Sequence, residues 1–226
     1  MTPRNRPGEL TRERIDAFKT AEQHLEPKNF APYLRLKELL HDKSPDARAE
    51  FRKTFKSFYM MRPGTGASPA FDQRFFEILF SFNPLADPNR DFSAIVGELA
   101  PIKDPRGRTR LQFSFVSKLV AIHQEASPIY DKHVKNFFGE SNPPYRLHAA
   151  GRIAYVADFL EFVAGRYKGW SQDPRLAAIL DRVRDRDPRL WNCDAVRLVD
   201  FLVWRVGNLA QKKPQPCREP RSARSG

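Results

Sequence analysis

Residues 195–207 read AVRLVDFLVWRVG. On a helix, Val196, Leu198, Val199, Phe201, Leu202, Val203 and Val206 leave almost no polar face, and a segment apolar nearly all round belongs at the centre of a packed protein. Gly207 reads as its stop. Asp200 within so apolar a helix needs a partner, and Arg197, three residues earlier, or an arginine of another helix would suit. We read both charges as structural, and the segment as the central helix of an all-helical fold.

Helical spacing continues outward from there. Phe71, Phe75, Leu79 and Phe82 recur at steps of three and four, and Ile153, Val156, Leu160, Val163 and Tyr167 repeat the pattern before Gly169 as a stop. Asp173-Pro174 pairs an N-cap with a first-turn proline. Further helices are expected near 9–25, 30–42, 45–61, 91–99, 111–123 and 132–139. Proline-rich connectors are expected at Arg62-Pro63-Gly64, from Asn83-Pro84 to Asp87-Pro88, at Asp104-Pro105 and at Asn142-Pro143-Pro144. No long alternating strand pattern and no internal repeat are found. The expected fold is all-α, a two-lobed helical bundle with a central cleft over residues 8–210. A flexible basic arm at 1–7 and a flexible basic tail at 211–226 flank it. Trp170, Trp191 and Trp204 read as core and lobe contacts, and the mixed-charge run from Asp181 to Asp187 as a solvated helix face.

Composition narrows the partners. The 39 lysines and arginines exceed the 27 acidic residues by twelve, and the pI is about 10.0. So large an excess repels itself unless a polyanion neutralises it, which points to nucleic acid. The 18 phenylalanines among 41% hydrophobic residues imply an aromatic-rich core. Two cysteines, Cys193 and Cys217, without CxxC spacing argue against a disulfide scaffold and against a zinc or iron–sulfur site, so no metal and no cofactor is expected. The N-terminus has no apolar signal core, and apolar runs such as Phe201–Trp204 are too short to span a bilayer. A cytoplasmic, nucleoid-associated monomer with no membrane attachment is expected.

The chemistry resides in residues 113–138, FSFVSKLVAIHQEASPIYDKHVKNFF. Lys118 lies at the rim of a helix face formed by Phe115, Val116, Leu119, Val120 and Ile122. Asp131 stands at an N-cap position just before Lys132-His133-Val134. His123 and His133 lack the carboxylate neighbours that a metal site would need. Just upstream, Lys103, Arg106, Gly107, Arg108 and Arg110 form a basic turn suited to phosphate contact, with glycine allowing close backbone approach. Lys132 and His133 join it as candidate nucleic-acid contacts.

A lysine in one helix and a P-x-x-D-x-H-V step opening the next resembles the helix-hairpin-helix DNA glycosylase superfamily. The matching positions are Lys118, Asp131, His133 and Val134, with Tyr130 where that family usually carries valine. The resemblance implies a nucleophilic amine at Lys118, an assisting carboxylate at Asp131, duplex DNA as partner and cleavage of an N-glycosidic bond after base flipping. The stretch 106–112, RGRTRLQ, replaces the family's glycine-rich hairpin, and twelve residues separate Lys118 from Asp131. A non-catalytic nucleic-acid-binding module on the same scaffold is the alternative, and RNA is the lesser candidate ligand.

Overall fold

A computed structural model describes residues 9–61 and 68–212. The arm expected at 1–7, most of the tail expected at 211–226, Cys217 and the Arg62-Pro63-Gly64 connector lie outside the described residues. Among the described residues the fold is all-α, with ten α-helices, one 3-10 helix and no strand. The helices are α1 (Arg12–Gln23), α2 (Pro27–Leu39), α3 (Pro45–Phe58), α4 (Pro69–Ser81) and α5 (Pro88–Leu99). They continue with α6 (Phe113–His123), α7 (Lys132–Phe138), α8 (Ala149–Ser171), α9 (Pro174–Arg184) and α10 (Ala195–Lys212), the short 3-10 helix Pro188–Asn192 preceding α10.

Local chemistry sets the starts. Pro27, Pro45, Pro69, Pro88, Pro174 and Pro188 each stand at the beginning of a helix, where the missing N–H would have had no partner. Ser44, Ser68, Asp87, Asp131 and Asp173 cap the following amides. Asp87-Pro88, expected as part of a connector, is therefore the cap and first residue of α5. Two glycines expected as stops do not act so: α8 runs through Gly169 to Ser171, and α10 through Gly207 to Lys212. A helical glycine ends nothing when the residues after it still make helical hydrogen bonds.

α10 is the central element and packs against α1, α7, α8 and α9. Arg197, 2% exposed, pairs with Asp200 at 2.6 Å, so the partner comes from the same helix rather than from another. Its second Nη donates to the Ala121 carbonyl at 3.1 Å and the Ser127 carbonyl at 2.7 Å. One buried guanidinium thus ties α10 to the end of α6 and to the loop leading into α7. Breaking such a pair by removing one partner strands a buried charge, which is the strongest form of its cost.

At Gly207, α10 crosses α7 with no room for a side chain. A Cβ there would stand 2.7 Å from the His133 carbonyl oxygen and 2.8 Å from the His133 Cβ. The glycine read as a stop is instead a point of close backbone approach.

The buried side chains of all ten helices join one continuous core, and the packing does not show the two lobes and central cleft expected from the sequence. Phe18, Phe30, Phe51, Phe55, Phe71, Phe75, Phe76 and Phe92 are among its fully buried rings. Trp170 is buried and Trp204 half-buried against His133, but Trp191 is 55% exposed, with Arg184 over its ring at 5.3 Å, and so is not a core residue. The mixed-charge run is also more than a solvated face. Arg182 and Arg186 reach across to the buried Glu22 of α1 at 3.0 and 2.7 Å.

Gly207→Ala should destabilise the fold by about 1–3 kcal/mol in urea denaturation, the usual cost of overpacking; a value within about 0.5 kcal/mol of wild type, the range of an uncoupled surface change, contradicts the close crossing. A second expectation concerns Asp200, which burial pushes up to about 6, Arg197 pulling it down and Asp131 adding to the rise. The unfolded carboxylate titrates near about 3.9, so between there and 6 the folded chain holds the extra proton. Wild-type stability relative to Asp200→Asn should therefore fall as pH rises from about 4 to 6. A pH-independent difference would contradict the raised value.

Candidate functional site

Lys118 occupies the middle of α6 and is 8% exposed. Its Nζ donates to Ser114 Oγ at 2.9 Å, one turn back, and lies over the Tyr59 ring at 5.6 Å and the Phe115 ring at 5.8 Å. Burial lowers its pKa from the ordinary lysine value, and the charge of Asp131 opposes part of that fall. Desolvation outweighing one distant carboxylate is what makes such an amine more available as a free base.

Asp131 caps α7, its Oδ1 accepting from Val134 N at 2.8 Å. Among the described residues the Lys118 amine and the Asp131 carboxylate make no ion pair within 4 Å, yet each lies in the other's field. Their relation is fixed by the residues beside them. Ser117 Oγ donates to the Ser114 carbonyl at 3.1 Å and accepts from Tyr130 N at 2.9 Å. The residue before Lys118 thereby holds the residue before Asp131, which closes the short twelve-residue connection. Tyr130 is buried, edge-on to Phe113 and Phe159, and the Lys135 ammonium covers its ring at 5.0 Å. Behind Asp131, Tyr167 is pushed well above the ordinary phenol value by burial, then by Asp200 and Asp131.

The basic turn is built on one carboxylate. Asp104 Oδ1 accepts from the backbone N–H of Arg106 at 2.8 Å and of Arg108 at 3.0 Å. Its Oδ2 accepts from Arg110 Nε at 2.8 Å and from Arg108 Nε and Nη2 at 3.3 Å each. Hydrogen bonding to the Arg108 amide is the largest influence holding Asp104 down at about 2. A Lys103–Thr109 bridge closes the turn, and Gly107 takes a left-handed φ of 75° that a side chain would strain. Arg108 and Arg110 are thus partly engaged by Asp104, whereas the exposed Lys103 and Arg106 side chains make no ion pair among the described residues.

Lys132 is exposed at the first turn of α7, but His133 faces α10. Its ring meets Trp204 edge-on at 5.5 Å, and its buried Nδ1 has no partner among the described residues. His123 lies apart from it, bonding the Leu79 carbonyl at 3.0 Å, and burial pushes it down to about 4. Among the described residues no cluster of three or more His, Cys, Asp or Glu could hold a metal ion, and no helix is long and apolar enough to cross a membrane.

Sequence reasoning missed Tyr59, Ser114 and Ser117. Ser114 carried a signal, four residues before Lys118 and so its neighbour on the same helix face, whereas Ser117, one residue before it, carried none. Tyr59 carried none, being brought in only by tertiary packing.

Ser117→Ala should leave the Tyr130 N–H buried without its acceptor and cost about 1–3 kcal/mol in chemical denaturation. A cost under about 0.5 kcal/mol, within the range of an uncoupled surface change, would show that Ser117 does not hold the two segments together. Comparison with protein-family models, curated proteins and solved structures gives no match to this chain.

Proposed function

We propose that this protein binds duplex DNA and cleaves the N-glycosidic bond of a damaged or modified base, as a divergent relative of helix-hairpin-helix DNA glycosylases. The observation that carries the reading is the buried Lys118 amine, its charged form disfavoured, held near the Asp131 cap by the Ser117–Tyr130 link. In this reading the base leaves the stack, and the Lys118 lone pair forms a bond to the sugar C1′. The bond to the base breaks, and the base departs with that electron pair and gains a proton. Asp131 faces the positive charge that develops on the sugar. Lys103, Arg106, Gly107, Arg108 and Arg110, with Lys132, supply phosphate contacts that hold the duplex without reading its sequence. His133 supports this surface by packing α7 on α10. The protein acts as a monomer associated with the nucleoid.

A second reading has its own observation. The Lys118 amine is already bonded to Ser114 and nearly shut from solvent, which suits a module that kept the scaffold and binds nucleic acid without chemistry. Borohydride reduction in the presence of duplexes carrying abasic or damaged bases separates the two. A covalent adduct formed by wild type and lost in Lys118→Ala, with DNA affinity retained, is the expected result. Retarded DNA with neither adduct nor released base would leave the binding module.

A further inference from the structure

An open surface groove of about 400 Å³ lies between α3 and α4, lined by Arg48, Arg52, Arg74, Glu77, Phe80 and Ser81 and by none of the Lys118 site residues. Arg48 and Arg52 are one turn apart on α3, and both guanidiniums lie over the Phe80 ring, at 5.1 and 5.8 Å. Arg52 also lies over Phe76 at 5.3 Å, and the floor is braced by Phe51 edge-on to Phe80. Two half-buried cations one turn apart repel each other, and among the described residues neither makes an ion pair. The other charges are already matched: Arg74 pairs with Glu77 and Glu98, and Gln73 also donates to Glu77. What remains is two cationic forks on an aromatic floor, with Glu77 hydrogen-bonded to Arg74 and Gln73 while its charge also reaches Arg52.

We propose that this groove is a phosphate-ester site, with Arg48 and Arg52 as its ligands. Planar guanidinium groups donate paired N–H bonds that match phosphate oxygens, and the aromatic faces behind them keep those edges turned away from the core. The phosphate belongs either to a free phosphorylated small molecule or to a nucleic-acid backbone, and one experiment tells these apart. The site does not depend on Lys118 chemistry, so failure of the borohydride reaction leaves it standing.

The full chain is titrated calorimetrically at low salt with inorganic pyrophosphate, a nucleoside 5′-monophosphate and a short DNA duplex. Arg48→Gln/Arg52→Gln and Arg48→Lys/Arg52→Lys are titrated alongside. Binding of pyrophosphate or nucleotide at one per chain, weakened about tenfold or more in the glutamine pair and less in the lysine pair, supports the site with a free phosphate ester as ligand. Binding of duplex alone supports the nucleic-acid source, provided the glutamine pair lowers the slope of log affinity against log salt by about two. Affinities unchanged within about twofold in the glutamine pair, a difference worth well under 1 kcal/mol, overturn the proposal. So does the absence of any binding by wild type. If the double glutamine variant does not fold, Arg48→Gln alone is judged by the same loss of affinity, since Arg52 still covers both rings.

Discussion

The buried Arg197 guanidinium is the joint on which the remaining structure depends. It engages Asp200 on its own helix and two carbonyls on the α6 side of the fold, so two of its three hydrogen bonds tie α10 to other elements. An apolar helix packs by shape alone and can rotate or slide at modest cost. A guanidinium with fixed acceptors cannot, and that is the physical case for retaining a charge where a hydrophobe would pack as well. Gly207 adds a second restraint two turns and more along, where only a glycine lets α10 meet the α7 backbone at His133. Between these points the loop from α6 to α7 has little freedom, and Asp131 sits at its end.

That restraint has an electrostatic consequence. Asp131 lies within the fields of Lys118 on one side and Asp200 on the other, with the Tyr167 phenol close by. Arg197 pairs with Asp200 directly, and the positive influence on Asp131 comes from Lys118 and Lys135. Lys118 meanwhile has only a serine hydroxyl and two aromatic rings for company. Neither group is satisfied in the way a structural ion pair is. The arrangement is consistent across levels, since the hydroxyl of Ser117 fixes the spacing of the two segments without neutralising either charge.

Much of this was legible in the sequence where local rules act. Apolar periodicity located α4, α8 and α10, the Asp173-Pro174 start of α9 and the Asp131 cap followed from capping chemistry, and Asp200 was seen to need an arginine, which the fold supplies as Arg197 rather than from another helix. The errors came where context overrides a local signal. Gly169 and Gly207 look like stops, yet their helices continue because packing on neighbouring helices outweighs about 1 kcal/mol of propensity. Trp191 looks like core, yet it sits on the surface under Arg184. Tyr59 and Asp104 became visible at the site and its basic turn only through tertiary contacts, because a sequence does not reveal which ring closes over an amine or which carboxylate gathers a turn.

The basic excess of the chain is thus organised in two ways on the described surface: a turn gathered by Asp104, and a pair of arginines laid over Phe76 and Phe80. Both are consistent with a polyanionic partner, but the account stands or falls on the state of one amine. Nitrogen-15-detected NMR of the Lys118 Nζ, assigned with Lys118→Arg and followed against pH, measures it directly. The account predicts a midpoint below the ordinary lysine value, falling further in Asp131→Asn because the opposing carboxylate charge is removed. A Lys118 midpoint at the ordinary lysine value and indifferent to Asp131 would contradict it.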